Sequence, residues 1–101
     1  MMKYSFEKSL TFDTVPQIMA KVAPLLQANS TIDFDLTSVA HIDSAGVAFL
    51  LELIRLSQAL NHSICFKHCP ANLVRLEKIY QLEPVLANYI KSTHASRATV
   101  A

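Results

Sequence analysis

Ser44 is the residue with the most to offer chemically, and its neighbours Asp43, Ala45 and Gly46 frame it. It falls where an alternating segment gives way to a long apolar run of helical period, at a helix start. A hydroxyl in that place can satisfy backbone N–H groups orphaned in the first turn. It can also carry a phosphate, because the positive end of the helix dipole offsets the added charge. Cap and switch are both open to it. Asp43 adds favourable negative charge at the same pole. Gly46 is the only glycine in the 101 residues. It sits in the first helical turn, where glycine weakens a helix, so a close approach by another backbone or side chain is its expected reason.

Other reactive side chains fit less well with a site. A serine nucleophile at Ser44 would need a base such as His41, His62 or His68 within hydrogen-bond reach, and a third group orienting that base. No spacing here supplies them, so no catalytic residues are assigned and the chain is not read as an enzyme. Asp33 and Asp35 alternate with apolar residues, the pattern of a solvated strand face rather than an acid and base pair. Cys65, His68 and Cys69 form a C-x-x-H-C group. A structural zinc site wants four ligands, and a strand turns neighbouring side chains to opposite faces, so no metal is expected and the thiols are read as reduced. One glycine rules out the Gly-rich loops of nucleotide sites, and no cofactor is expected.

The formal net charge is +1, with Lys and Arg scattered, which excludes a nucleic-acid footprint. The longest apolar stretch, Ala45 to Leu51, ends at Glu52 and falls short of a bilayer span. No charged start leads into an apolar signal region, so a cytoplasmic location without direct membrane insertion is expected.

The elements that position Ser44 follow from periodicity. Lys3 to Ser9 alternates weakly, as in a short edge strand. Asp13 or Thr14 caps a helix with Pro16 in its first turn and an apolar face of Val15, Ile18, Met19, Val22, Leu25 and Leu26; Pro24 should loosen its last turn. Thr31 to Leu36 is a strand with Ile32, Phe34 and Leu36 inward, followed by a loop from Thr37 to Asp43. The helix Ala45 to Leu60 carries two apolar stripes, one of Val47, Leu50, Leu51 and Ile54, the other of Phe49, Leu53, Leu56 and Leu60. The second stripe meets either a neighbouring helix or another protein. Ser63 to Lys67 is a further strand with Ile64 and Phe66 inward. After Pro70, Leu73, Leu76, Ile79 and Tyr80 give a helix its buried face, and Glu83 to Lys91 forms a last helical piece. One domain over 1–91 with a flexible tail over 92–101 is expected. The order of elements predicts an α/β fold, a mixed sheet of about four strands with helices on one face.

The run Asp35-Leu36-Thr37-Ser38-Val39-Ala40-His41-Ile42-Asp43-Ser44-Ala45-Gly46-Val47-Ala48 resembles the signature of STAS domains, in which a strand ending in D-L-S is followed by an I-D-S-S/A-G segment opening a helix. The resemblance covers roughly residues 10 to 86. Leu50 to Ser57 and Leu76 to Leu82 look most like the MlaB-like members, the STAS subunits of Gram-negative phospholipid-transport ABC complexes. Ala45 departs from the pattern by lacking the second hydroxyl, and an opening strand looks shortened or missing. The resemblance implies a non-catalytic subunit, peripheral on the inner membrane, that binds an MlaF-like ATPase and through it an MlaE-like permease and an MlaD-like lipid-binding subunit. Its docking surface would comprise Thr37, Ser38, His41, Asp43, Ser44, Ala45 and Gly46, with Phe49 and Leu53 as apolar anchors. The alternative it implies is an anti-sigma factor antagonist type of regulator, switched by phosphorylation of Ser44.

Overall fold

Alternation of apolar and polar residues builds the sheet, and each of the first three strands is followed by a helix that must cross back over it. The computed structural model describes residues 2–91. The chain runs through β1 (Met2–Leu10), α1 (Val15–Ala28), β2 (Thr31–Ile42), α2 (Ser44–Leu60), β3 (Ser63–Lys67), α3 (Ala71–Ile79), the short α4 (Glu83–Leu86) and β4 (Ile90–Lys91). The expected flexible tail over 92–101 lies outside the described residues.

The four strands lie in the order β1-β2-β3-β4. The α/β class and the strand number agree with the sequence reading, but all three pairings are parallel where a mixed sheet was expected. The reason is topological: each link between strands in the described residues passes through a helix, and such a crossover returns the chain to the same end of the sheet. Two further expectations change. Strand β2 continues to Ile42 in place of a loop from Thr37, because β1 pairs beside it as far as Leu10 and Ile42. Residues 90–91, read as part of a final helix, form a short strand on β3.

The core lies on one face of the sheet. Phe6, Ile32, Phe34, Leu36, Ile64 and Phe66 turn inward and are buried. Phe34 stands at the centre, with ring centroids 5.2 Å from Phe6, 6.2 Å from Tyr4 and 5.8 Å from Phe66. Phe49 of α2 closes on this row edge-on, 5.6 Å from Phe6. Helix α2 packs on the sheet between α1 and α3, so both apolar stripes are used internally except at Leu60, which is exposed at the end of the helix. Ile79 and Tyr80, read as part of the buried face of α3, are exposed, because α3 ends at Ile79 and Tyr80 is only its cap.

The opposite face of the sheet is polar and held together by charge. Asp33 accepts from the Cys65 thiol at 2.8 Å and pairs with Lys67 at 2.9 Å. Asp35 binds the backbone N–H and hydroxyl of Thr37, and His68 at 3.1 Å. Asp33 is held below the usual aspartate range first by the thiol and then by Lys67, and Asp35 is lowered chiefly by the Thr37 hydroxyl. These are structural ladders across strands, not an acid and base pair.

Removing the central ring tests this account of the core. Phe34→Ala should cost about 3–5 kcal/mol, most of the margin of a domain this size, read as a fall in the urea midpoint. A loss under about 1 kcal/mol would show that the aromatic row is not the centre of the core.

Candidate docking site at the start of α2

Helix α2 begins where three segments converge, and Asp43 ties them together. Its backbone is extended, with φ −123° and ψ −170°. One carboxylate oxygen accepts from the Gly46 N–H at 3.1 Å and the other from the Phe12 N–H at 3.1 Å. Its own N–H donates to the Leu10 carbonyl at 3.3 Å. The cap of α2 is therefore Asp43, not Ser44. Ser44 is the first helical residue, while the N–H within reach of a capping side chain is that of the third, Gly46.

Gly46 answers the question its position raises. A Cβ there would lie 2.1 Å from the Leu10 carbonyl oxygen and 2.7 Å from Ile42 Cγ1. The end of β1 is thus seated directly against the first turn of α2. The loop between β1 and α1 is tightened in turn by Thr14, whose hydroxyl accepts from the Thr11 N–H at 3.0 Å and donates to the Ser9 carbonyl at 2.9 Å.

Two side chains stand outward from this junction. Ser44 is exposed. Phe12, held by its backbone to Asp43, is 76% exposed. Sequence reasoning missed Phe12; the available signal was a large apolar residue in a polar turn, outside any helical or strand period. Ala45 is half-buried, Gly46 is buried, and His41 is exposed near the end of β2.

The structure does not gather every expected docking residue here. Thr37 and Ser38 are exposed, but extended β2 carries them roughly 15 Å or more back from Ser44. Phe49 and Leu53, expected as docking anchors, are 2% and 0% exposed. They belong to the core because α2 is covered on both flanks, and neither offers surface to a partner.

Among the described residues no histidine is hydrogen-bonded to Ser44, His41 included. His62 Nδ1 lies 2.9 Å from the Leu26 carbonyl and His68 faces Asp35, so both are engaged elsewhere. Cys65 and Cys69 are thiols, with Cys65 turned to Asp33 and Cys69 buried. No cluster of three or more metal-ligating side chains occurs among the described residues. No helix among them is long and apolar enough to cross a membrane.

The junction sets two measurable properties. Backbone N–H donors, that of Phe12 foremost, hold the Asp43 carboxyl below the usual aspartate range. A carboxyl so lowered stabilises the fold fully above the unfolded value and loses that contribution as pH falls through its folded one, below about pH 4. Asp43→Ala should therefore cost about 1–2 kcal/mol at neutral pH, and its penalty should shrink in acid. A penalty equal at pH 7 and pH 2 would refute the assignment. Gly46→Ala gains about 1 kcal/mol of helix propensity, yet should destabilise by about 1–3 kcal/mol overall through overlap with Leu10. A more stable Gly46→Ala protein in thermal unfolding would mean the β1 end is not seated there.

Comparison with known proteins agrees with this geometry. Residues 7–87 match the family model described as "Mlab, STAS domain". The intermembrane phospholipid transport system binding protein MlaB of Haemophilus influenzae is 34% identical over 59 residues, 58% of this chain. The match spans 56% of that relative's length, little more than half. Among solved structures, the Bacillus cell fate determinant SpoIIAA in its phosphorylated form aligns with a TM-score of 0.67 at 20% identity, covering 94% of this chain and 84% of that one. The unphosphorylated anti-sigma factor antagonist SpoIIAA gives 0.69 at 20% identity, covering 94% and 81%; at this identity the likeness is one of fold. With the family model matched across the sheet, the α2 junction and α3, the chain belongs to the STAS domain family, in the group described by MlaB.

Proposed function

We propose that this chain is a regulatory docking module that binds a partner protein through the start of α2, with Ser44 and Phe12 at the centre of the contact. The observation that carries the reading is their joint exposure on a junction made rigid by Asp43 and Gly46. An exposed aromatic side chain on a backbone held in this way is a ready apolar anchor, and a hydroxyl near it sets register. His41 and Ala45 complete the rim.

The partner proposed is the cytoplasmic ATPase subunit of a phospholipid-transport ABC complex. The support is the MlaB family model and the relative named as a binding protein of such a system. Binding would place the chain peripherally on the inner membrane, next to the permease and lipid-binding subunits, supporting assembly or activity of the transporter and hence outer-membrane lipid asymmetry.

A second reading has its own observation. Because Asp43 performs the capping, the Ser44 hydroxyl is exposed and spared that structural duty. A phosphate could be added without dismantling the helix start, and it would stand beside the Asp43 carboxylate. The resulting change of charge and bulk would release a partner, as a phosphorylation-switched anti-sigma factor antagonist type of regulator requires.

Affinity purification from the native host, followed by mass spectrometry and titration of the recovered partner, separates these readings. Wild type should recover an ABC ATPase and permease, while Phe12→Ala and Ser44→Glu should each weaken binding about tenfold or more. Ser44→Ala should change stability by no more than about 0.5 kcal/mol, since it removes no cap. Recovery of an anti-sigma kinase together with phosphorylated Ser44 would favour the switch; unchanged affinity in both Phe12→Ala and Ser44→Glu would place the interface elsewhere.

A further inference from the structure

The outer edge of β1 forms a second surface, independent of the docking reading above. β1 is the first strand of the sheet order, so one side of its backbone faces away from β2 and is open to pairing. Alongside runs an open groove of about 540 Å³, lined by Lys3 to Ser9 and by Gln17, Ile18 and Lys21 of α1. The pairing of β1 with β2 is regular from Met2 to Ser5, shifts between Ser5 and Glu7, and shifts again at Lys8, where φ is 51°. At both shifts the extra residue lies on β2, so β1 itself runs without an inserted residue from Met2 to Glu7, and the left-handed Lys8 ends the usable edge.

That segment is complementary to itself. Lys3, Ser5 and Glu7 are exposed, Tyr4 is half-buried and Phe6 is buried. When two copies run antiparallel about a two-fold axis through Ser5, Lys3 of one stands opposite Glu7 of the other, twice by symmetry. Tyr4 then stands opposite Phe6, also twice, on the face that already carries the row of Tyr4, Phe6, Phe34 and Phe66 rings. Opposite charges and aromatic pairs directly across an antiparallel ladder are the favourable cross-strand combinations, and a two-fold contact must be self-complementary in this sense. An acidic peptide would satisfy Lys3, Lys8 and Lys21 but meet Glu7; a second copy satisfies both signs.

We propose that two copies of this chain associate by antiparallel pairing of β1 with β1, centred on Ser5, into one continuous sheet. The arrangement sends the two Ser44 junctions to opposite ends of the dimer and leaves both accessible.

Sedimentation velocity of the full chain from about 1 μM to about 500 μM tests the proposal, a range that detects dimers of micromolar to sub-millimolar affinity. Wild type should shift from monomer to dimer. Lys3→Glu, which sets like charges opposite each other twice, should weaken the dimer about tenfold or more, and Lys3→Glu with Glu7→Lys should restore it. Both positions are exposed, so circular dichroism should match wild type, and the double variant guards against a folding artefact. Ser5→Cys should form an intermolecular disulfide under mild oxidation that wild type, with its native thiols, does not. A chain that stays monomeric throughout overturns the proposal and leaves the edge for another protein's strand. A dimer indifferent to Lys3→Glu overturns it as well, since the contact must then lie elsewhere.

Discussion

The Leu10 carbonyl resting against Gly46 is the contact on which the remaining geometry depends. It brings the end of the first strand to the first turn of the central helix, closer than any side chain would permit. Asp43 then spans the gap, giving one carboxylate oxygen to the helix and the other to the loop that opens α1. A single side chain thus satisfies two backbone donors from segments 31 and 3 residues away in sequence. Moving α2 outward would strand both N–H groups, and the cost of an unpaired backbone donor is what keeps the junction closed.

With α2 fixed at that end, its width decides the rest of the packing. A helix apolar on two stripes cannot rest on a sheet alone. It is covered below by the Phe6, Phe34 and Phe66 row and at its flanks by α1 and α3. Parallel sheets usually bury both faces; this one leaves its second face polar and compensates with cross-strand pairs. Asp33 with Lys67 and Cys65, and Asp35 with Thr37 and His68, occupy the positions that apolar residues take in doubly wound folds.

The junction also separates two roles that a serine at a helix start often combines. Asp43 supplies the structural cap, and Ser44 is left at the surface with no side-chain cap bond to keep. Stability at the helix start therefore rests on Asp43 and not on the Ser44 hydroxyl. Two of the histidines are engaged away from it: His62 anchors to the end of α1 and His68 to the polar sheet face.

Much of this was legible in the residues. The alternation of Ile32, Phe34 and Leu36 and the period of α2 pointed to the α/β class and the helix start, because burial period and capping chemistry are local properties, and the family followed from the resemblance of the run from Asp35 to Ala48 to the STAS signature. Gly46 even announced a close neighbour, since a lone glycine in a helical turn needs a reason. What no local pattern could supply was the identity of that neighbour, Leu10, which lies 36 residues earlier. The Asp43 cap on the Gly46 N–H is itself a local bond, but the second donor to that carboxylate, the Phe12 N–H, arrives from another element and gave no signal in the sequence. Phe49 and Leu53 read as an outer stripe until the flanking helices were in place, and Phe12 gave no periodic signal at all. Burial of a helix flank, exposure of a loop and closure of a junction depend on which distant backbone arrives beside them, and only the tertiary structure decides that.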